Sequence, residues 1–101
     1  MSFFVIGDED TVLGFKLVGV PGVSIRKPEE VHNAFRDAVA NRSGKILLIT
    51  ERLAQEIHGE VVRQRISMKP PFIVEIPDRH GPLPNRKSIA EIIREAIGIS
   101  I

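Results

Sequence analysis

The residues best suited to chemistry in this sequence are polar groups that directly follow two apolar runs. Three consecutive acids, residues 8–10, come after the run at 3–6, and Thr50 and Glu51 come after the run at 46–49. Ligand sites in open parallel sheets gather at the carboxyl ends of the strands, and clustered carboxylates suit hard divalent cations. The acidic turn therefore has two interpretations: a magnesium site, or an acidic helix start stabilised by the helix dipole. Of the two, we favour the helix start.

Thr50 and Glu51 stand at the position where phosphoryl-accepting receiver domains of a related architecture carry an aspartate. This sequence has no aspartate there, and it has no fifth strand to supply the lysine of such domains. Dinucleotide binding is disfavoured as well, because Gly7 is followed by three acids and by no second nearby glycine. The Gly-Lys pair at 44–45 enters a strand and does not begin a helix, which excludes a P-loop.

Other catalytic constellations are also missing from the sequence. There is no cysteine and no G-x-S-x-G motif, so no serine or cysteine nucleophile can be assigned. The histidines lack metal-ligand spacing and are interpreted as surface residues; they are His32, His58 and His80. We therefore predict no catalytic residue, no cofactor and no metal ligand, and expect a protein that is not itself an enzyme.

Bulk composition narrows the function classes further. The 101 residues suit one domain, and a net charge of +1 disfavours nucleic-acid binding through phosphates. No apolar run approaches the roughly 20 residues of a membrane span, and the amino terminus lacks a basic leader. The absence of cysteine fits a reducing compartment. We expect a soluble, cytoplasmic protein that could still work beside a membrane as part of a larger assembly.

Four apolar runs predict the strands that would position these residues: 3–6, 22–25, 46–49 and 72–76. The run at 46–49 has four branched apolar residues without polar alternation, which is typical of a strand covered on both faces of a parallel sheet. The run at 22–25 is short and alternating, and Glu75 interrupts the last one, so both are predicted at edges. With helices between them and right-handed crossovers, the strands predict an α/β fold: a four-stranded parallel sheet of order 2-1-3-4, Rossmann-like or receiver-like.

Apolar residues at helical spacing follow each predicted strand. We predict one helix on each of the first two connections, with Gly19 and Pro21 ending the first and Pro28 beginning the second. A single long helix is predicted up to about residue 67, capped by the Thr50 hydroxyl. The apolar positions of the three helices are Val12, Leu13, Phe15 and Leu17; Val31, Phe35, Ala38 and Val39; Leu53, Ile57, Val61, Val62 and Ile66.

The carboxyl-terminal quarter is predicted to hold a loop, a helix and an apolar tail. Residues 77–87 have no period and contain three prolines, which predicts an ordered loop. Ser88 caps a last helix that Gly98 stops. Its apolar stripe and the tail comprise Ile89, Ile92, Ile93, Ala96, Ile97, Ile99 and Ile101. The tail either packs back on its own sheet or is covered by a partner.

Several blocks of residues, taken together, resemble a known family. They are 6–15, 46–51 and 71–77, followed by Ile92, Arg94 and 96–98. The chain is similar to the F subunit of the archaeal and bacterial A/V-type rotary ATPases. The match runs in order through most of the chain, and the combination of blocks is specific where each alone is weak. The loop at 77–84 departs from the Pro-Ser-Lys and Pro-Tyr-Asp pattern of the family, so the family motif does not identify contacts of this loop.

The resemblance implies a rotor component of the central stalk that binds the long coiled-coil D subunit. Such a component would help couple ATP synthesis or hydrolysis to ion translocation, hydrogen ions included, while doing no chemistry itself. It would lie in the cytoplasm, peripheral to the membrane through the complex, without nucleic acid or direct membrane insertion. Its single domain, 1–101, would comprise the sheet and three helices (1–76), the loop (77–87), and the last helix with the tail (88–101). The partner interface is expected at Phe72, Pro77, Arg79, Leu83, Arg94, Ile97, Ile99 and Ile101.

Two other functions remain open on the sequence alone. One is a receiver-like protein-interaction domain that cannot be phosphorylated, and the other is a small-molecule-binding Rossmann domain. A pulldown separates the three classes, because each predicts a different partner: another component of a rotary ATPase, a kinase or transcription factor, or none.

Overall fold

The computed structural model describes residues 2–41, 45–78, 80 and 81. The strands are β1 (Phe3–Gly7), β2 (Gly22–Ser24), β3 (Ile46–Thr50) and β4 (Phe72–Ile76). The helices are α1 (Glu9–Leu17), α2 (Val31–Ala40), α3 (Glu51–Glu56) and α4 (His58–Ile66), and a single 3-10 turn over Pro28–Glu30 precedes α2. All strand pairs are parallel, in the order β2-β1-β3-β4, which confirms the predicted fold class and strand order.

The two faces of the sheet are covered differently. One face packs against α2, α3 and α4, and its buried residues form one apolar cluster that includes Ile6, Leu47 and Ile49 from the strands and Phe35 and Val61 from the helices. On the opposite face, α1 packs on β1 and β2. We call this second face the α1 face.

The register of the strands defines which residues share the α1 face. Phe3, Ile46 and Phe72 form one row across β1, β3 and β4. Val5, Leu48 and Val74 form the next row. Because side chains alternate between faces along a strand, these two rows lie on the same side of the sheet.

The connection between β3 and β4 differs from the predicted single helix. Helix α3 ends at Glu56 and α4 begins at His58, with Ile57 between them in a non-helical conformation (φ −126°, ψ 36°). The Ile57 side chain is buried in the core. Ile66, predicted on the buried helix face, is instead 73% exposed at the end of α4. The prediction of one continuous helix was therefore wrong.

Thr50 lies at the predicted helix boundary, but its role differs from the predicted one. It is the N-cap residue of α3 in an extended conformation, yet its hydroxyl makes no capping hydrogen bond. Its side chain instead packs into the sheet, 1% exposed, with its methyl group close to Gly7. The local sequence therefore predicts where β3 ends and α3 begins, whereas the packing of β1 beside β3 determines whether the Thr50 side chain caps the helix or is buried.

The edge predictions agree with the described sheet. Within the described residues β2 and β4 are its outer strands. In α1 only Val12 is buried, whereas Leu13 and Leu17 are exposed and leave the outer side of this helix apolar. The predicted last helix and tail, 88–101, lie outside the described residues, as does most of the loop at 77–87.

Candidate functional site

The carboxyl edge of the sheet is where a chemical site was considered, and Asp8 is its first acid. Asp8 is the N-cap of α1: its carboxylate accepts hydrogen bonds from the Thr11 backbone N–H (3.2 Å) and from the Thr11 hydroxyl (2.5 Å). Burial raises the pKa of Asp8, but the two hydrogen bonds from Thr11 outweigh it, so the pKa lies below its ordinary value. Glu9 and Asp10 follow in the first turn of α1, where the helix dipole favours negative charge. The acidic run is thus the predicted helix start.

Asp78 is a second acid at this edge, directly after β4 and Pro77. Its Oδ2 accepts a hydrogen bond from Arg52 Nε at 2.9 Å, and its Oδ1 accepts one from the His80 backbone N–H at 2.9 Å. Burial raises the pKa of Asp78, and these two hydrogen bonds outweigh that effect and bring the pKa below its ordinary value. Asp78 also lies close enough to Asp8 to disfavour the ionised form of Asp8. Neither Asp78 nor Arg52 was predicted as a site residue, although both lie shortly after predicted strands, which was the available signal in the sequence.

These groups are engaged with one another in ways that stabilise the fold. Thr50 is 1% exposed beside Gly7, so its hydroxyl is not presented to solvent as a nucleophile. Across residues 2–41, 45–78, 80 and 81, no group of three or more His, Asp or Glu side chains is placed to hold a metal ion. His32, His58 and His80 are exposed, as predicted.

A histidine and a carboxylate also lie close together on the side of the sheet opposite the α1 face, beside a groove between α2 and α4. Glu60 Oε2 lies 3.0 Å from His32 Nδ1, and Glu60 Oε1 lies 3.7 Å from Arg36 Nε. The groove has a volume of about 560 Å³, with Phe35, Val39 and Ala40 among its lining residues. This groove was not predicted from the sequence, because no motif links residues that come from two helices.

The two described residues of the predicted partner interface lie on or next to β4. Phe72 is 51% exposed on the α1 face, and Pro77 is exposed at the end of the strand. The remaining six predicted residues lie outside the described residues: Arg79, Leu83, Arg94, Ile97, Ile99 and Ile101. The structure therefore places Phe72 at the start of β4 and Pro77 directly after its end, and the other six residues remain predictions.

Phe72 belongs to a larger apolar surface. Val74 is 44% exposed and Phe3 is 38% exposed on the same face, and three partly exposed residues lie between or beside them. We call this surface the open strip; its residues are Phe3, Ile46, Leu48, Phe72, Val74 and Ile76.

None of the described helices is long and apolar enough to cross a membrane.

Comparison with known proteins gives a consistent match over the whole chain. Residues 3–93 match the family described as ATP synthase (F/14-kDa) subunit. The F subunit of the A-type ATP synthase of Thermococcus sibiricus is 37% identical over 106 residues, which cover 100% of this chain and 98% of the relative. The F subunits of the A-type ATP synthases of Methanocaldococcus jannaschii and Pyrococcus abyssi are 35% and 38% identical, covering 100% of this chain and 99% and 98% of the relatives.

Proposed function

This chain belongs to the family of the ATP synthase (F/14-kDa) subunit, and on that premise we propose that it is a component of the central stalk that binds the coiled-coil D subunit and turns with it. The match to this family confirms the resemblance inferred from the sequence. One observation carries the proposal: relatives named as F subunits of A-type ATP synthases align with this chain from end to end. In this role the protein helps couple ATP synthesis or hydrolysis to ion translocation.

A role without catalysis is the second part of the proposal. It is supported by the carboxyl edge of the sheet, where Asp8 caps a helix and Asp78 pairs with Arg52. These acids already have internal partners, and Thr50 is buried. The same observations weigh against a receiver-like phosphorylation site, since β3 ends in this buried threonine and the sequence has no aspartate there. Catalysis in this proposal takes place elsewhere in the complex.

The whole chain is proposed to act as one domain, 1–101, with partner contacts near β4 and in the carboxyl-terminal segment. Phe72 and Pro77 support this assignment because both are exposed, Phe72 in β4 and Pro77 directly after it. A coiled coil presents apolar stripes and side grooves along its length, and a compact domain can bind them with apolar side chains surrounded by polar ones.

Co-expression with the coiled-coil D subunit of the same organism tests the proposal. We expect the two proteins to elute from a gel-filtration column as one complex with equal amounts of each. Two proteins serve as negative controls: a kinase, which is the partner expected of a receiver-like domain, and an unrelated coiled coil such as a leucine zipper. Separate elution of the two proteins at micromolar concentrations, with both folded by circular dichroism, would contradict the proposal.

A further inference from the structure

We propose that His32 of α2 and Glu60 of α4 form a proton-dependent latch between the two helices, which is closed while the imidazole is protonated and released when the imidazole is neutral. The latch lies on the side of the sheet opposite the α1 face. It goes beyond the proposed function and does not depend on it, because both of its side chains belong to this chain and act without a partner.

The geometry of the pair is the first observation. His32 Nδ1 and Glu60 Oε2 are 3.0 Å apart, yet among the described residues the buried Oε2 has no hydrogen-bond partner. A neutral imidazole with its proton on Nε2 turns a lone pair toward the carboxylate, and one with its proton on Nδ1 does not align that N–H with Oε2. The charged imidazolium therefore attracts Glu60 most, because attraction between opposite charges needs no directed hydrogen bond.

The charged neighbours of His32 complement an imidazolium. Two carboxylates besides Glu60 share a cleft of about 330 Å³ with His32: Glu29 from the 3-10 turn and Glu56 from α3. The one positive group is Arg36 on the same helix, whose Nε lies 3.7 Å from the other oxygen of Glu60. Three elements thus present a carboxylate on this side of α2, against a single guanidinium.

The exposure of the two side chains limits the strength of the latch. The Glu60 side chain is 16% exposed and that of His32 is 53% exposed, so solvent screens the pair from the histidine side. Ion pairs that are partly open to solvent change an equilibrium constant by about two- to fivefold. The change falls between about pH 5 and pH 8, where histidine ordinarily gains and loses its charge.

The position of the pair determines what its release changes. Arg36 and Glu60 line the groove of about 560 Å³ between α2 and α4, and His32 lines the cleft of about 330 Å³. Phe35 also lines the groove, and it belongs with Val61 to the apolar core. Release leaves this core in place and lets the Glu60 carboxylate move to solvent, because a buried charge without a partner is costly. Solvent then reaches Phe35 more readily.

A double-mutant cycle in the full-length chain tests the latch. Wild type, His32→Gln, Glu60→Gln and the double variant are unfolded in urea at about pH 5.5 and at about pH 8. We expect the two substitutions to be coupled by about two- to fivefold in the unfolding equilibrium constant at the lower pH, and by less than about 1.5-fold at the higher pH. The contact of Glu60 with Arg36 is lost in both variants that carry Glu60→Gln, so it cancels in the cycle.

His58→Gln is the matched control. His58 is exposed at the start of α4, two residues from Glu60, a spacing that does not bring side chains of a helix together. Its cycle with Glu60→Gln should show no coupling at either pH. Equal coupling of His32 and Glu60 at both pH values would identify a neutral hydrogen bond and overturn the latch, and so would the absence of coupling at the lower pH.

Salt provides a second measurement of the same cycle. Raising the ionic strength from about 0.05 M to about 1 M should reduce the coupling at the lower pH, because salt screens an ion pair that is partly open to solvent. Coupling that is unchanged by salt would show that charge is not its basis and would overturn the proposal.

Hydroxyl-radical footprinting of Phe35 measures the release, with the exposed Phe72 of the same chain as internal reference. In the wild type we expect Phe35 to be oxidised at least twofold faster, relative to Phe72, at about pH 8 than at about pH 5.5. In Glu60→Gln the relative rate should be the same at both pH values, since no carboxylate is left to pair with the imidazolium. A wild-type rate that does not change with pH would show that the groove does not open and would overturn the proposal.

Discussion

At the scale of single residues, two glycines allow the elements of the α1 face to approach one another. A Cβ on Gly7 would lie 3.2 Å from methyl groups of both Thr11 and Thr50, where the first turn of α1 crosses the ends of β1 and β3. A Cβ on Gly22 would overlap Val5 Cγ1 and the Val5 carbonyl oxygen, because β2 pairs closely with β1 at this point. The absence of a side chain is therefore the structural contribution of both residues.

Gly22→Ala should destabilise the protein by about 1–3 kcal/mol, the usual cost of overpacking, because the backbone of Val5 cannot move out of the way. The measurement is the free energy of unfolding in urea. Gly59→Ala in α4 is the matched control: its Cβ would meet no atom within 4 Å. By helix propensity we expect this control to stabilise by up to about 1 kcal/mol. Equal effects of the two variants would contradict the close approach of β2 to β1.

Asp8 should make the stability of the protein depend on pH. Its folded pKa is below the ordinary value of 3.8, so its stabilisation is fully present above that value and is lost as the pH falls through the folded pKa. Asp8→Ala should cost about 1 kcal/mol at neutral pH, because α1 loses its N-cap. The measurement is the free energy of unfolding between about pH 7 and pH 2.

Asp8→Asn is the control for this dependence, since asparagine caps a helix but does not titrate. The difference in unfolding free energy between wild type and Asp8→Asn should decrease as the pH falls below about 4. A difference that stays constant across this range would mean that the hydrogen bonds from Thr11 do not distinguish the ionised carboxylate.

At the scale of elements, the period of apolar residues predicted the strands and the strand order but not the details of the β3–β4 connection. The positions of Leu53, Ile57 and Val61 follow one helical stripe, and nothing in that pattern distinguishes one helix from two. The break at Ile57 depends on how α3 and α4 pack on the sheet, which is a tertiary effect. The role of Asp78 was missed for a similar reason, because its partner Arg52 is 26 residues away in the sequence.

The amino end of β4 depends on one side chain of α4. Gln64 Nε2 donates hydrogen bonds to the carbonyl oxygens of Lys69 (2.9 Å) and Pro71 (3.1 Å), and these bonds connect α4 to the residue before β4. Pro71 is buried, so its carbonyl oxygen has few alternatives in solvent.

Gln64→Leu should therefore destabilise the protein by about 1–3 kcal/mol, because both bonds are lost and one acceptor is partly buried. Thermal unfolding followed by circular dichroism measures the effect. Gln55→Leu, on the exposed side of α3, is the control and should change stability by less than about 0.5 kcal/mol. A neutral Gln64→Leu variant would show that solvent replaces these hydrogen bonds.

At the scale of the whole molecule, three described helices cover one face of the sheet, and on the other face the described helix α1 packs on β1 and β2. A domain of about 100 residues has a small core, and here the fully buried side chains lie in the central strands and beneath the helices. The outer strand β4 retains exposed apolar residues on the side where partner contacts were predicted from the resemblance. This exposure supports the proposed interface near β4, whereas the partner is inferred from the sequence resemblance, since an apolar surface does not identify what covers it.

Removing the last three residues tests the apolar tail of the full chain. Truncation after Gly98 deletes Ile99 and Ile101, and each isoleucine buried at an interface contributes about 1.5–3 kcal/mol. We expect at least tenfold weaker binding to the D subunit in an isothermal titration, with the circular dichroism spectrum and midpoint of thermal unfolding unchanged. Ser100→Ala is the control and should bind as wild type does. Unaltered binding by the truncated chain would exclude the tail from the interface, whereas a lower unfolding temperature would mean that the tail packs on its own domain.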